Sequence, residues 1–119
     1  MSQSRPAVEN AALARFPAEV LDAFQRYRTH GDAAAVEAVV IAAVVDYRPR
    51  SGGAAPVVED GTRLLEDLGY DSVSVAELVF FLEDLFDLTI ANEEIRDVRT
   101  LADLRACVVR KLESKNRKA

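Results

Sequence analysis

The sequence predicts an all-α bundle of three longer helices and one short crossing helix, with an extra helix at the N-terminus. Three observations lead to this fold. Apolar residues recur at three- and four-residue steps through most of the chain. Capping residues, glycines and prolines fall between those stretches rather than within them. The run Ala38–Val45 is β-branched enough to suggest a strand, but its length and flanking caps favour a helix. A chain of 119 residues, half of them hydrophobic, suits one domain with a modest core. Few Gly and Pro and a single Cys exclude collagen-like, disulfide-scaffold and generally disordered classes.

Residues 1–12 carry no strong pattern and read as a mobile or weakly helical lead. They lack the apolar core of a secretory signal, and no run approaches the ~18 apolar residues of a membrane span. A cytoplasmic protein is the expectation. Leu13, Phe16, Val20, Phe24 and Tyr27 then mark an amphipathic helix. Pro17 fits its first turn, where a missing N–H costs nothing, or else kinks a longer helix. The run YRTHG reads as its end, with Gly31 just beyond the last turn and a basic residue within it. His30 therefore reads as structural or exposed, not as a catalytic or metal-binding group.

Asp32 is the cap of the next helix, which runs to about Asp46 or Tyr47. Val36, Val39, Val40, Ala43, Val44 and Tyr47 form its core stripe. Ala38, Ile41 and Val45 form a second apolar patch, so cover is expected on two sides, the second from the 17–29 helix. Residues 48–63, RPRSGGAAPVVEDGTR, form a long connection broken by Pro49, Gly52, Gly53, Pro56 and Gly61. Val57 and Val58 are expected to anchor it inward. Loops of this length are uncommon in a compact domain and often functional. Leu64, Leu65 and Leu68 then pin the approach to the next helix.

The strongest pattern lies in Glu66–Asp87, EDLGYDSVSVAELVFFLEDLFD. Val75, Leu78, Val79, Leu82, Leu85 and Phe86 form one buried stripe at helical spacing. Glu77, Glu83, Asp84 and Asp87 lie off it, leaving an acidic side. Asp71 is the N-cap candidate, which places Ser72 in the first turn. There the unpaired amides and the helix dipole favour a negative group, so a phosphate on the Ser72 oxygen would be well placed. Ser74-x-x-Glu77 is a competing capping box.

Beyond Asp87, Leu88 and Ile90 anchor a crossing. Asn92 is read as the cap of a brief helix to about Asp97, with Glu93 and Glu94 in its first turn. Thr100-x-x-Asp103 resembles a capping box for the last helix, with Leu101, Leu104, Val108 and Leu112 facing inward. Cys107 reads as a buried small hydrophobe and requires no oxidising compartment. Residues 114–119 read as a basic, flexible tail. With one His and one Cys far apart, no metal-ligand spacing and no nucleophile–base pair, an enzyme is not expected.

The net charge of −5 hides an asymmetry. Residues 59–104 hold thirteen acids against three bases, and residues 105–119 six bases against one acid. The acidic middle repels nucleic acid and attracts partners with basic patches.

The run LGYDSVSVAELVFFLEDLF resembles the modification motif of acyl carrier proteins, and the likeness extends from about Asp32 to Leu112. The resemblance implies an acyl-carrier-like four-helix bundle over residues 32–113, preceded by a helical extension at 1–31. It implies that a phosphopantetheinyl transferase moves 4'-phosphopantetheine from coenzyme A to Ser72, with Asp71 positioning the serine and the transferase. The arm's thiol would carry acyl groups as thioesters in fatty-acid, polyketide or related biosynthesis. Glu77, Phe80, Glu83 and Asp84 would face the acyl-loading, condensing and modifying enzymes that a monomeric carrier meets. Phe80 lies off the stripe, between carboxylates on an exposed ridge, and is the aromatic contact candidate. Asp71 before the serine favours the acyl type over the peptidyl or aminoacyl type. Tyr70 replaces a small residue, and Ala91 stands where the family commonly has proline. An unmodified interaction module with the same fold is the other reading.

Overall fold

A computed structural model describes residues 13, 14, 16–49 and 57–118, with side chains to residue 115. Six helices and no strand occur among the described residues. They are α1 (Ala18–His30), α2 (Ala33–Tyr47), α3 (Leu64–Leu68), α4 (Ser72–Phe86), α5 (Asn92–Arg96) and α6 (Leu101–Lys118). The chain divides into two compact units, residues 1–42 and 43–119. The lead over 1–12 and the breakers Gly52, Gly53 and Pro56 lie outside the described residues.

In the first unit, Pro17 stands just before α1 rather than in its first turn. Its fixed φ of −59° serves as the entry, and no kink follows. Val20, Ala23 and Phe24 are the buried face, and Arg28 lies over the Phe24 ring at 5.8 Å. Gly31 closes the helix at φ 69°, and its N–H donates to the Tyr27 carbonyl. A left-handed residue is required there, which is why glycine ends this helix. Asp32 then caps α2, accepting the Ala34 N–H at 3.1 Å.

The second apolar patch of α2 is not fully covered. Ala38 is exposed, and Ile41 and Val45 are half-buried. Ala35 instead joins Val36, Val39, Val40, Ala43 and Val44 in the core, making one broad stripe. Ala38 and Val45 fall on the opposite side of that stripe at 100° per residue, so they face outward.

Residues 43–119 build their framework around α4 and α6. The approach contains a short helix, α3, that the sequence pattern did not announce. Leu64 and Leu68, one turn apart, are buried, whereas Leu65 lies round the helix and is exposed. Val57 is likewise exposed, and only Val58 is half-buried. The loop is held by backbone bonds rather than by Val57. Leu64 N–H donates to Arg99 O at 3.0 Å, Leu101 N–H to Thr62 O at 2.9 Å, and Ala102 N–H to Asp60 O at 3.0 Å. Asp60 also pairs with Arg105 at 2.7 Å. These bonds fix the start of α6 beside the start of α3.

The stripe of α4 is buried at Leu78, Val79, Leu82, Leu85 and Phe86, with Val75 half-buried. Phe81, absent from the expected stripe, is buried too, and its ring packs against Tyr47 with centroids 5.3 Å apart. Asp87 ends α4 in the left-handed region, where Lys115 donates to the Phe86 carbonyl at 3.0 Å. A cation suits the negative end of that helix. This contact helps explain why α6 continues to Lys118, through residues expected to form a flexible tail. The α5 cap also shifts by one residue. Ala91 occupies the cap position, and Glu94 rather than Asn92 supplies the side chain, accepting the Ala91 N–H at 2.8 Å. Thr100 and Asp103 do form the expected reciprocal cap on α6.

Leu82 has no exposed surface. Leu82→Ala is expected to cost about 2–5 kcal/mol, from lost transfer energy and the cavity left behind. Urea unfolding measures this; a loss well under 1 kcal/mol would mean the α4 stripe is not the core.

Candidate cofactor attachment site

The entry to α4 is built residue by residue. Gly69 closes α3 at φ 77°. Tyr70 follows; its N–H donates to Leu64 O, its ring is 3% exposed, and its hydroxyl donates to Val44 O at 2.5 Å. Burial pushes the Tyr70 hydroxyl well above the usual tyrosine range, so it stays a donor. The aromatic residue that replaces a small one is therefore an anchor.

Asp71 is the N-cap, as the residue order suggests. Its partner is Ser74, so the competing box with Ser74 as cap and Glu77 as partner does not form. Ser74 N–H donates to Asp71 Oδ1 at 2.9 Å, Asp71 N–H donates to Ser74 Oγ at 2.9 Å, and the Ser74 hydroxyl donates back to Asp71 Oδ1 at 2.8 Å. The Ser74 N–H and then its hydroxyl hold the Asp71 carboxyl below the usual aspartate range. Ser74 is only 7% exposed.

Ser72 differs in every respect. It is exposed, sits at the first helical position, and its hydroxyl has no hydrogen-bond partner among the described residues. The first turn of α4 holds no acidic residue. Its amides and the dipole of a 15-residue helix therefore favour a phosphate on this oxygen. Of two nearby serines, one is buried in a reciprocal cap and the other is free to react.

A groove of about 450 Å³ starts at Asp71 and Ser72 and runs between α4 and the 90–98 segment. Val75, Val79, Ile90, Ile95 and Val98 make it mainly apolar. Cys107 belongs to the same buried cluster as Val79 and Ile90, and burial raises its thiol above the usual range. No cluster of three or more metal-ligating side chains occurs among the described residues, and none of their helices is long and apolar enough to cross a membrane.

The four expected contact residues separate into two groups. Glu77, Phe80 and Asp84 are exposed, Phe80 at 64% while also lining the groove at its edge. Glu83 is half-buried, lines the groove, and accepts the Ile90 N–H at 2.7 Å. It fastens the crossing segment to α4 rather than standing free on the ridge. Exposed Val73 and Leu65 extend the apolar surface around Ser72 and were not anticipated. Neither was the groove lining at Ile95 and Arg96, because a five-residue helix carries too little periodicity to show which residues face α4.

Residues 53–108 match the family model described as "Phosphopantetheine attachment site". Curated acyl carrier proteins are also similar to part of the chain. One from Syntrophobacter fumaroxidans is 38% identical over 48 residues, covering 40% of this chain and 59% of the relative. One from Exiguobacterium sp. is 45% identical over 47 residues, covering 40% and 60%. One from Helicobacter hepaticus is 39% identical over 51 residues, covering 43% and 67%. The chain thus spans about three fifths of the length of the first two relatives. No solved structure gives a significant match. The likeness defines a phosphopantetheine-bearing carrier with an all-α, acyl-carrier-like bundle. This chain belongs to the acyl carrier protein family, whose cofactor is covalently held 4'-phosphopantetheine. Such carriers are generally non-catalytic and work through partner enzymes.

The depressed Asp71 carboxyl gives a pH prediction. Its folded-state value lies below its unfolded one, so its charge stabilises α4 above the ordinary aspartate range and ceases to do so as pH falls through the lower, folded value. Asp71→Asn keeps an N-cap but does not titrate. The parent is expected to melt above the variant at neutral pH, with the gap closing in strong acid. A gap unchanged by pH would show that the carboxylate charge contributes nothing here.

Proposed function

We propose that this chain is an acyl carrier in which Ser72 Oγ bears the phosphopantetheine group. The observation that carries the reading is the free Ser72 hydroxyl at the positive end of α4, beside a Ser74 consumed by the cap. When attached, the group supplies a flexible arm whose thiol holds an acyl unit as a thioester. Asp71 serves by fixing the first turn through Ser74, which aims Ser72 outward to the transferase. The α4 amides favour the negative charge at the point of attachment. The apolar groove that opens at Ser72 favours acyl over aminoacyl cargo.

Glu77, Phe80 and Asp84 form the surface for the transferase and for acyl-loading, condensing and modifying enzymes. The carboxylates speed encounter with basic patches, and Phe80 supplies contact area. The cargo belongs to fatty-acid, polyketide or related specialised biosynthesis. The chain itself acts as a non-catalytic, cytoplasmic monomer; its single buried thiol, Cys107, needs no oxidising compartment.

Incubation with a broad-specificity phosphopantetheinyl transferase and coenzyme A, read by intact mass, tests the attachment. One added phosphopantetheinyl group is expected on the parent and on Ser74→Ala, and none on Ser72→Ala. No gain in well-folded parent protein would leave a carrier-fold interaction module instead. Phe80→Ala is expected to slow acyl transfer to partner enzymes while circular dichroism stays unchanged. Equal transfer rates for variant and parent would remove Phe80 from the contact surface.

A further inference from the structure

The groove beside Ser72 contains charges, and all but one are already committed. Asp71 is bound to Ser74, and Glu83 accepts the Ile90 N–H. Arg96 is the one cation among the described lining residues. It makes no ion pair or hydrogen bond among the described residues. This is unexpected in so acidic a segment, with Glu93 one turn before it and Asp97 next in sequence. The other acid of α5, Glu94, is turned the opposite way and pairs with Lys111 at 2.8 Å and Arg110 at 3.9 Å. The result is an apolar trough that begins at Ser72 and offers one unspent positive charge.

We infer that Arg96 binds an anionic oxygen group on the chain that Ser72 carries. This rests on the attachment proposed above. Two parts of that chain supply the chemistry: the phosphodiester at its root, or a carboxylate at the free end of a dicarboxylic acyl cargo. The planar guanidinium suits both, since its paired N–H donors match two oxygens of a phosphate or carboxylate. Arg96 is exposed, so this donor match and its place beside the groove carry the pairing, not burial. With the cargo carboxylate as partner, Arg96 is a specificity-determining residue for dicarboxylic chains; with the phosphodiester, common to every loaded form, it is a positioning residue for the arm.

The test uses the full chain, labelled with nitrogen-15, in four forms: unmodified, and loaded by the transferase from coenzyme A, pentanoyl-coenzyme A or glutaryl-coenzyme A. The two acylated forms match in chain length and differ in a terminal methyl or carboxylate. The readout is the Arg96 Nε–H resonance, with Arg99, which does not line the groove, as reference. A shift on attachment of the bare arm, retained in both acylated forms, identifies the phosphodiester. A shift in the glutaryl form alone identifies the carboxylate. In either case Arg96→Gln should alter the phosphorus-31 or cargo-carboxylate resonance of that form. Loaded protein of the correct mass with Arg96 unmoved, or moving only in step with Arg99, would overturn the inference and leave attachment intact. No mass gain at all would remove attachment, and this inference with it.

Discussion

The reciprocal bonds between Asp71 and Ser74 are the constraint on which the site depends. They satisfy the Ser74 amide in the first turn of α4 and the Asp71 amide before it, fix where the helix starts, and decide which serine is left over. A start one residue earlier or later would rotate every side chain of α4 by 100°. Leu78 and Leu82 would leave the core, and Ser72 would leave the groove. The cap is itself held from behind, because Gly69 turns the chain and Tyr70 ties it to Val44. Local chemistry and core packing thus set the same register.

From that register follow three surfaces of one helix. The stripe from Val75 to Phe86, with Phe81 at its flank, faces the core. The side toward α5 makes the groove, where Glu83 fastens Ile90 and the Arg96 side chain pairs with none of the described residues. The remaining side presents Glu77 and Asp84 to solvent, with exposed Phe80 on the edge it shares with the groove. Acidity concentrated there costs little, since these carboxylates stay hydrated, and it provides long-range attraction for basic partners.

Much of this was legible in the sequence, and the exceptions have physical causes. The α4 stripe and the ends of α1 and α2 are visible because long helices repeat their pattern several times. Asp71 was readable as a cap and Ser72 as a first-turn serine. Ser74 was not readable as its partner, because serine is rarer than glutamate at the third position and Glu77 offered a rival box. α3 and α5 span five residues each, too few for a periodic signal, so the outward turn of Leu65 and the one-residue shift of the α5 cap went unforeseen. The exposure of Val57 illustrates another gap. Backbone bonds at Asp60, Thr62 and Leu64 hold that loop, and such bonds leave no mark on residue type. The groove was likewise hidden, because it depends on how the 90–98 segment folds back along α4, which no local pattern sets.

The most direct measurement is peptide fragmentation of the transferase-treated protein, which locates the added mass between two serines only two residues apart. Fragment ions that carry the phosphopantetheinyl mass at Ser72, with Ser74 unmodified, are the expected result. The same mass on Ser74 would contradict the role given to the cap, since that hydroxyl would have to leave Asp71 to react.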